Sequence, residues 1–131
     1  MLGLRKSSAT DWISEELYGQ RTVQVLTPKI NELDYPNAGT LRAASADILR
    51  RADHRLIVVD LSKTTYLDAS ALGVLLSFSK EALSMDSRMV IVTNEVVENI
   101  LSLTRLMKLF KIASTKEEAV AILVDSEPAP P

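Results

Sequence analysis

Cysteine is absent from the 131 residues, which removes disulfides, thiolate nucleophiles and thiolate-held zinc from consideration. Histidine occurs once, as His54, so neither a histidine-rich metal centre nor two histidines acting as acid and base can be built. Glycine is scarce. Gly3, Gly19, Gly39 and Gly73 stand alone, and no Gly-x-Gly-x-x-Gly or Walker-type loop exists to wrap a phosphate. An excess of either charge is missing too: 15 Lys and Arg face 17 Asp and Glu, a net charge of −2. That is too even for a chain held to nucleic acid by phosphate neutralisation. Long apolar runs are lacking. Leu56–Val59 and Ala71–Leu76 fall far short of the ~20 residues that span a bilayer. Arg5 and Lys6 are followed by Ser7, Ser8, Thr10 and Asp11 rather than by the apolar segment of a secretion signal. No direct membrane insertion, no nucleic-acid partner, no metal and no cofactor are expected, and the cytoplasm is the simplest location.

What remains is a composition of 47% hydrophobic and 24% charged residues, enough for one ordinary core. Residues 1–20 read as an N-terminal extension, with Asp11 placed to cap a short helix through Glu16 and Leu17. Residues 21–124 form the domain, and the proline-rich 125–131 a disordered, solvated tail. Arg21–Leu26 alternates as a half-buried strand. Asn31–Gly39 reads as a loop, and Leu41, Ala44, Ile48 and Leu49 follow at helical spacing. Leu56–Leu61 is a near-continuous β-branched run, the mark of a strand covered on both faces. A helix from Asp68 to about Met85, a strand at Met89–Val92, a helix over Glu95–Lys108 and a short strand at Phe110–Ile112 come next. Ser114 and Thr115, followed by Glu117 and Glu118, supply a capping box for a last helix. The alternation predicts an α/β fold: a mixed, largely parallel sheet with about four helices packed on it.

No catalytic constellation emerges. His54 reads as a surface residue in a turn, and Glu15/Glu16 and Glu117/Glu118 read as solvated neighbours on helices. One segment, Val58–Leu76, differs. A buried strand ends at Asp60, turns through Lys63–Leu67 and enters a helix that Asp68 can cap, leaving Ser70 in the first turn among unpaired N–H groups. With Leu72 set at zero on a helical wheel, Ser70 falls at about 160°, Ser77 at about 140°, Val74 at about 200° and Phe78 at about 240°. Leu72, Leu75, Leu76, Ser79, Ala82 and Leu83 then form the core stripe, and Val74 and Phe78 are either an exposed apolar pair beside Ser70, as a docking surface would need, or part of the core. A phosphate on Ser70 would add about −1.5 to −2 charge to that surface without melting the helix.

Residues Leu56–Ser62 (LIVVDLS), Tyr66–Leu76 (YLDASALGVLL), Met89–Asn94 (MVIVTN), Leu103–Ile112 (LTRLMKLFKI) and Ser114–Leu123 (STKEEAVAIL) resemble, in this order, the STAS domain. The likeness is greatest to the single-domain bacterial anti-anti-sigma factors (anti-sigma factor antagonists). That resemblance implies the STAS fold and a regulatory binding protein, not an enzyme. In the family a serine of the D-S-S-G-L-G motif is phosphorylated by a partner that is both anti-sigma factor and GHKL-type serine kinase, and a PP2C-type phosphatase resets it. Ser70 matches that serine, and Asp68, Leu72 and Gly73 match the motif directly. Ala69 replaces the first serine, and Ala71 replaces the usual glycine, placing a methyl group beside Ser70. Asn31 or Asp34 stands where the family carries an acidic residue.

The resemblance thus implies that the unphosphorylated chain binds an anti-sigma factor and frees a sigma factor. Asn31, Asp34, Asp68, Ala69, Ser70, Ala71, Leu72, Gly73, Val74, Ser77 and Phe78 are the expected contact residues, and phosphate on Ser70 the off-switch. The alternative is a structural STAS subunit of a transport or stress-signalling assembly, with the same surface used for packing and no phosphoswitch.

Overall fold

The computed structural model describes residues 9–126. Five strands form one sheet in the order β1-β2-β4-β6-β7. β1 (Ile13–Tyr18) and β2 (Arg21–Leu26) are an antiparallel hairpin with Ile13 opposite Leu26. Its two-residue turn uses Gly19 at φ +67°, a left-handed conformation that glycine adopts without a Cβ penalty. β2, β4 (Leu56–Asp60), β6 (Arg88–Val92) and β7 (Ile112–Ala113) then run parallel. A separate two-stranded parallel ladder joins β3 (Glu32–Leu33) to β5 (Tyr66–Leu67). The helices are α1 (Tyr35–Arg50), α2 (Ala69–Ser84), α3 (Glu95–Leu103) and α4 (Lys116–Ser126). The mixed, mostly parallel sheet and the four helices are those expected from the sequence.

The β-branched run of β4 is explained by the two cores it divides. Ile57 and Val59 point into one, with Leu26, Ile91 and the inner faces of α1, α2 and α3. Leu56 and Val58 point into the other, where Val23, Val25, Val90 and Val92 make a floor of valines beneath Ala119, Val120 and Leu123 of α4. Alternate side chains of a strand face opposite ways, so burial on both sides demands an apolar residue at every position.

Five boundaries differ from the sequence reading. Ile13–Tyr18 is a strand, not the end of a helix, and Trp12 before it is 3% exposed. The ordered fold therefore starts ahead of Arg21, because an edge strand with one wet face shows neither period cleanly. α1 begins at Tyr35, inside the segment read as a loop. Pro36 sits in its first turn, where a missing N–H costs nothing. α3 stops at Leu103 rather than Lys108, since Arg105 turns left-handed at φ +61°. β7 is shifted to Ile112–Ala113, with Phe110 buried in the first core. At the far end α4 includes Asp125 and Ser126; the remainder of the expected tail lies outside the described residues.

Candidate functional site

The carboxyl end of β4 leads into a turn over Leu61–Thr65 and then through β5 into α2. Asn94, at the end of β6, holds this turn. Its side-chain Nδ2 donates to the carbonyls of Ser62 at 2.9 Å, Thr64 at 2.8 Å and Leu61 at 3.3 Å, while its Oδ1 caps α3 by accepting from Val97 N–H at 2.9 Å. A second clasp comes from the loop before α1. Thr65 N–H donates to the Asn31 carbonyl at 2.7 Å and Asp68 N–H to the Leu33 carbonyl at 3.0 Å. Thus Asn31 and Asp34, distant in sequence from the α2 motif, are brought to the same end of the molecule.

Asp68 is the cap expected from the sequence: its Oδ1 accepts from Ala71 N–H at 3.0 Å. Ser70 follows in the first turn, half-exposed, with no hydrogen-bond partner for its hydroxyl among the described residues. Ala69, Gly73 and Ser77 are exposed along one line of α2, and nothing lies within 4 Å of where a Gly73 Cβ would stand. Asn31 is exposed and Asp34 half-exposed, the latter accepting from Asn37 Nδ2 at 2.9 Å. Lys29, Asn31, Glu32, Asp34 and Asn37 border an open polar depression of about 420 Å3 beside them.

Other expected contact residues are not at the surface. Val74 is 4% and Phe78 2% exposed, and Leu72 is buried. The exposed apolar pair expected beside Ser70 is core, whereas Leu83, assigned to the core stripe, is 74% exposed and Leu76 only half-buried. The reason is that α2 packs on the sheet and on α1 together. Val74 and Phe78 face α1, lining a narrow cleft with Ser45 and Leu49, so the buried arc is displaced toward that helix. Ala71 is fully buried. Its methyl group points into the core and does not stand beside the Ser70 hydroxyl on the outer surface.

Two aromatics that the sequence reading did not single out belong to this end. Tyr35, the first residue of α1, is 78% exposed, and Tyr66 of β5 is 47% exposed. Both adjoin Asp68: Tyr66 through the β5–α2 connection, and Tyr35 through its N–H, which donates to Asp68 Oδ2 at 2.8 Å. The only signal in the sequence was their position next to acidic cap residues, Asp34-Tyr35 and Tyr66-Leu67-Asp68.

The other singled-out side chains serve the scaffold. His54 Nδ1 is 2.7 Å from Ser87 Oγ at the opposite end of the sheet. Glu15 and Glu16 lie on β1, not on a helix. Glu15 Oε1 accepts from Nε2 of the fully buried Gln24 at 2.8 Å, and Glu16 accepts from Tyr18 Oη at 2.6 Å and Lys116 Nζ at 3.1 Å. Burial raises the Glu16 carboxyl, but the bonds from Tyr18, Lys116 and Ser14 and the Lys116 charge bring it below the usual value. Tyr18 is pushed up to about 12, first by its bond to Glu16 and then by burial and the neighbouring carboxylates. Thr115 Oγ1 caps α4, accepting from Glu118 N–H at 3.0 Å as its sequence predicts. Among the described residues no group of three His, Cys, Asp or Glu side chains is placed to hold a metal ion, and no helix is long and apolar enough to cross a membrane.

The model of the STAS domain matches residues 16–119. The chain belongs to the STAS domain family. Its fold is similar to that of TM1081 from Thermotoga maritima, a candidate anti-sigma factor antagonist: 27% identity over 88% of this chain and 97% of that one, with a TM-score of 0.73. The anti-sigma factor antagonist SpoIIAA in its unphosphorylated form shares the fold at 21% identity, covering 88% of this chain and 99% of that one, TM-score 0.63. Bacillus SpoIIAA in the phosphorylated form does so at 20% identity over 85% and 98%, TM-score 0.56. In this STAS domain the start of α2, the β3–α1 loop and the β5 strand meet at one end of the sheet.

Proposed function

We propose that this STAS domain is an anti-sigma factor antagonist: unphosphorylated, it binds an anti-sigma factor through the Ser70 end and so frees a sigma factor. The partner is an anti-sigma factor that is also a GHKL-type serine kinase, phosphate on Ser70 ends the binding, and a PP2C-type phosphatase restores it. The observation that carries this reading is the placement of Ser70. Its hydroxyl is half-exposed and unengaged in the first turn of α2, between exposed Ala69 and Gly73 and beside the Asp68 carboxylate. Exposed Tyr35, whose N–H donates to that carboxylate, and exposed Tyr66, two positions before Asp68, give this end of the molecule the aromatic character that interfaces favour.

A phosphate there is tolerated by the helix, whose N-terminal dipole favours negative charge. Its effect falls on the complex. A dianion next to Asp68 repels acidic partner groups and must be desolvated when the surface is covered. Residues carrying the contact are then Asn31, Asp34, Tyr35, Tyr66, Ala69, Ser70, Gly73 and Ser77, with Asp68, Ala71, Leu72, Val74 and Phe78 supporting them from beneath.

Mass spectrometry of the protein from its native host tests the switch on the tryptic peptide Thr64–Lys80, where phosphate is expected on Ser70. The Ser70→Ala variant should then capture the kinase and Ser70→Asp should not. Equal capture by both would overturn the switch and leave a scaffolding STAS subunit.

A further inference from the structure

β7 is short. It pairs with β6 at Ile91 and Val92, whereas β4 pairs with β6 from Arg88 onward. The first half of β6 therefore has a strand on one side only. Arg88 N–H donates toward β4, to the Arg55 carbonyl at 2.7 Å, and Ile91 N–H donates toward β7, to the Lys111 carbonyl at 2.9 Å. Alternation along a parallel strand then aims the N–H and C=O of Met89 to the β7 side, ahead of the register at which β7 begins. A groove of about 400 Å3 follows this edge, walled by Leu83 of α2 and by Ile122 and Leu123 of α4, with Met89, Arg88 and Lys111 along it. Leu83 is the exposed leucine displaced from the core of α2. Two cations and no carboxylate line the groove. Arg88 is already engaged within the molecule, so exposed Lys111 carries most of the charge that a ligand would meet.

We infer that this groove docks an extended segment of a partner protein in which an apolar side chain adjoins a carboxylate. An unpaired strand edge is satisfied by another extended main chain. The leucine and isoleucine walls accept the alternate side chain, and the lysine selects an acidic neighbour over a basic one. The groove lies thirteen positions along α2 from Ser70, or ~20 Å at the helical rise, so it can be filled while the Ser70 end is occupied.

The test is an amide-resolved NMR titration of the full chain with a synthetic hexapeptide of alternating Val and Glu, beside one of alternating Val and Lys. Saturable shifts are expected at Met89, Val90 and Lys111 with the acidic peptide, together with slower exchange of the Met89 amide. The basic peptide should bind about tenfold more weakly. Leu83→Asp and Lys111→Glu alter exposed side chains, so their spectra should otherwise be unchanged while affinity falls about tenfold in each. Shifts confined to the Tyr35–Ser70 end, or none that saturate, would overturn the proposal. So would self-association in the absence of peptide that Leu83→Asp abolishes, because the groove would then belong to a second copy of the chain.

Discussion

Asp68 and Tyr35, 33 positions apart, are joined by a hydrogen bond from the Tyr35 N–H to Asp68 Oδ2 at 2.8 Å. The other carboxylate oxygen caps α2 through Ala71 N–H. One side chain therefore satisfies first-turn donors of α1 and α2 and ties both helix starts to the segment that presents Ser70. Replacing it removes a cap, typically worth about 1 kcal/mol, and a charge-assisted bond worth about 1.5–3 kcal/mol. Asp68→Ala should lower unfolding free energy in urea by about 2.5–4 kcal/mol, and Asp68→Asn, which keeps one acceptor, by about half as much.

Asn94 makes a sharper distinction between donor and acceptor. Asn94→Asp keeps the oxygen that caps α3 but turns a carboxylate toward the carbonyls of Leu61, Ser62 and Thr64. The variant should lose about 2 kcal/mol at pH 7. The carbonyls raise the folded-state pKa of the new carboxyl, so the deficit should shrink as pH is lowered toward 4 and the group regains a donor. Urea midpoints at the two pH values check this.

Both α2 and α3 end in a Schellman motif without glycine. Ser87 N–H reaches the Ala82 carbonyl at 2.8 Å across Asp86, and Leu106 N–H the Leu101 carbonyl at 2.8 Å across Arg105. The two left-handed residues sit at φ +60° and +61°, where a Cβ costs roughly 1 kcal/mol. Arg105→Gly and Asp86→Gly should each stabilise the fold by about 0.5–1 kcal/mol in thermal or urea unfolding.

Phe78 tests the reassigned face of α2. As a residue between the sheet and α1 it should cost about 3–5 kcal/mol on truncation to alanine, whereas Ser77→Ala, one position earlier and exposed, should stay within about 0.5 kcal/mol. An exposed Phe78 would give the opposite ranking.

The Glu16–Tyr18–Lys116 cluster links β1 to α4 in a pH-dependent way. Tyr18 is raised from 10.0 to about 12 in the folded chain, so its contribution is complete below pH 10 and lost as pH rises toward 12. Glu16 is lowered from 4.5, so its contribution is present above that value and lost as pH falls through the folded pKa. In Tyr18→Phe the tyrosinate absorbance step near pH 12 should vanish, and stability should no longer decline in the same alkaline window.

Elements that bury two faces or carry a cap were legible in the sequence. Leu56–Val59 declared itself because four successive positions are apolar, and Asp68 and Thr115 stand where a helix start needs an acceptor. Tyr35–Gly39 was not legible: Pro36, Asn37 and Gly39 have turn chemistry, and only the aligned Ala38, Leu41 and Ile48 reveal the extra turn once the fold is known. The α2 wheel gave the position of Ser70 but misplaced Val74 and Phe78. A helical period sets which residues share a face, while the neighbours decide how wide an arc is buried. Asn31 and Asp34 reach the site through β3–β5 pairing, a contact between residues 34 positions apart that local patterns do not encode.

Among the described residues, the valine floor of the second core has a single helical cover, α4. Without α4, Val23, Val25, Val58, Val90 and Val92 would lie bare on one face of the sheet. Detachment of that one helix would therefore turn a buried layer of valines into an apolar patch prone to cling to its neighbours.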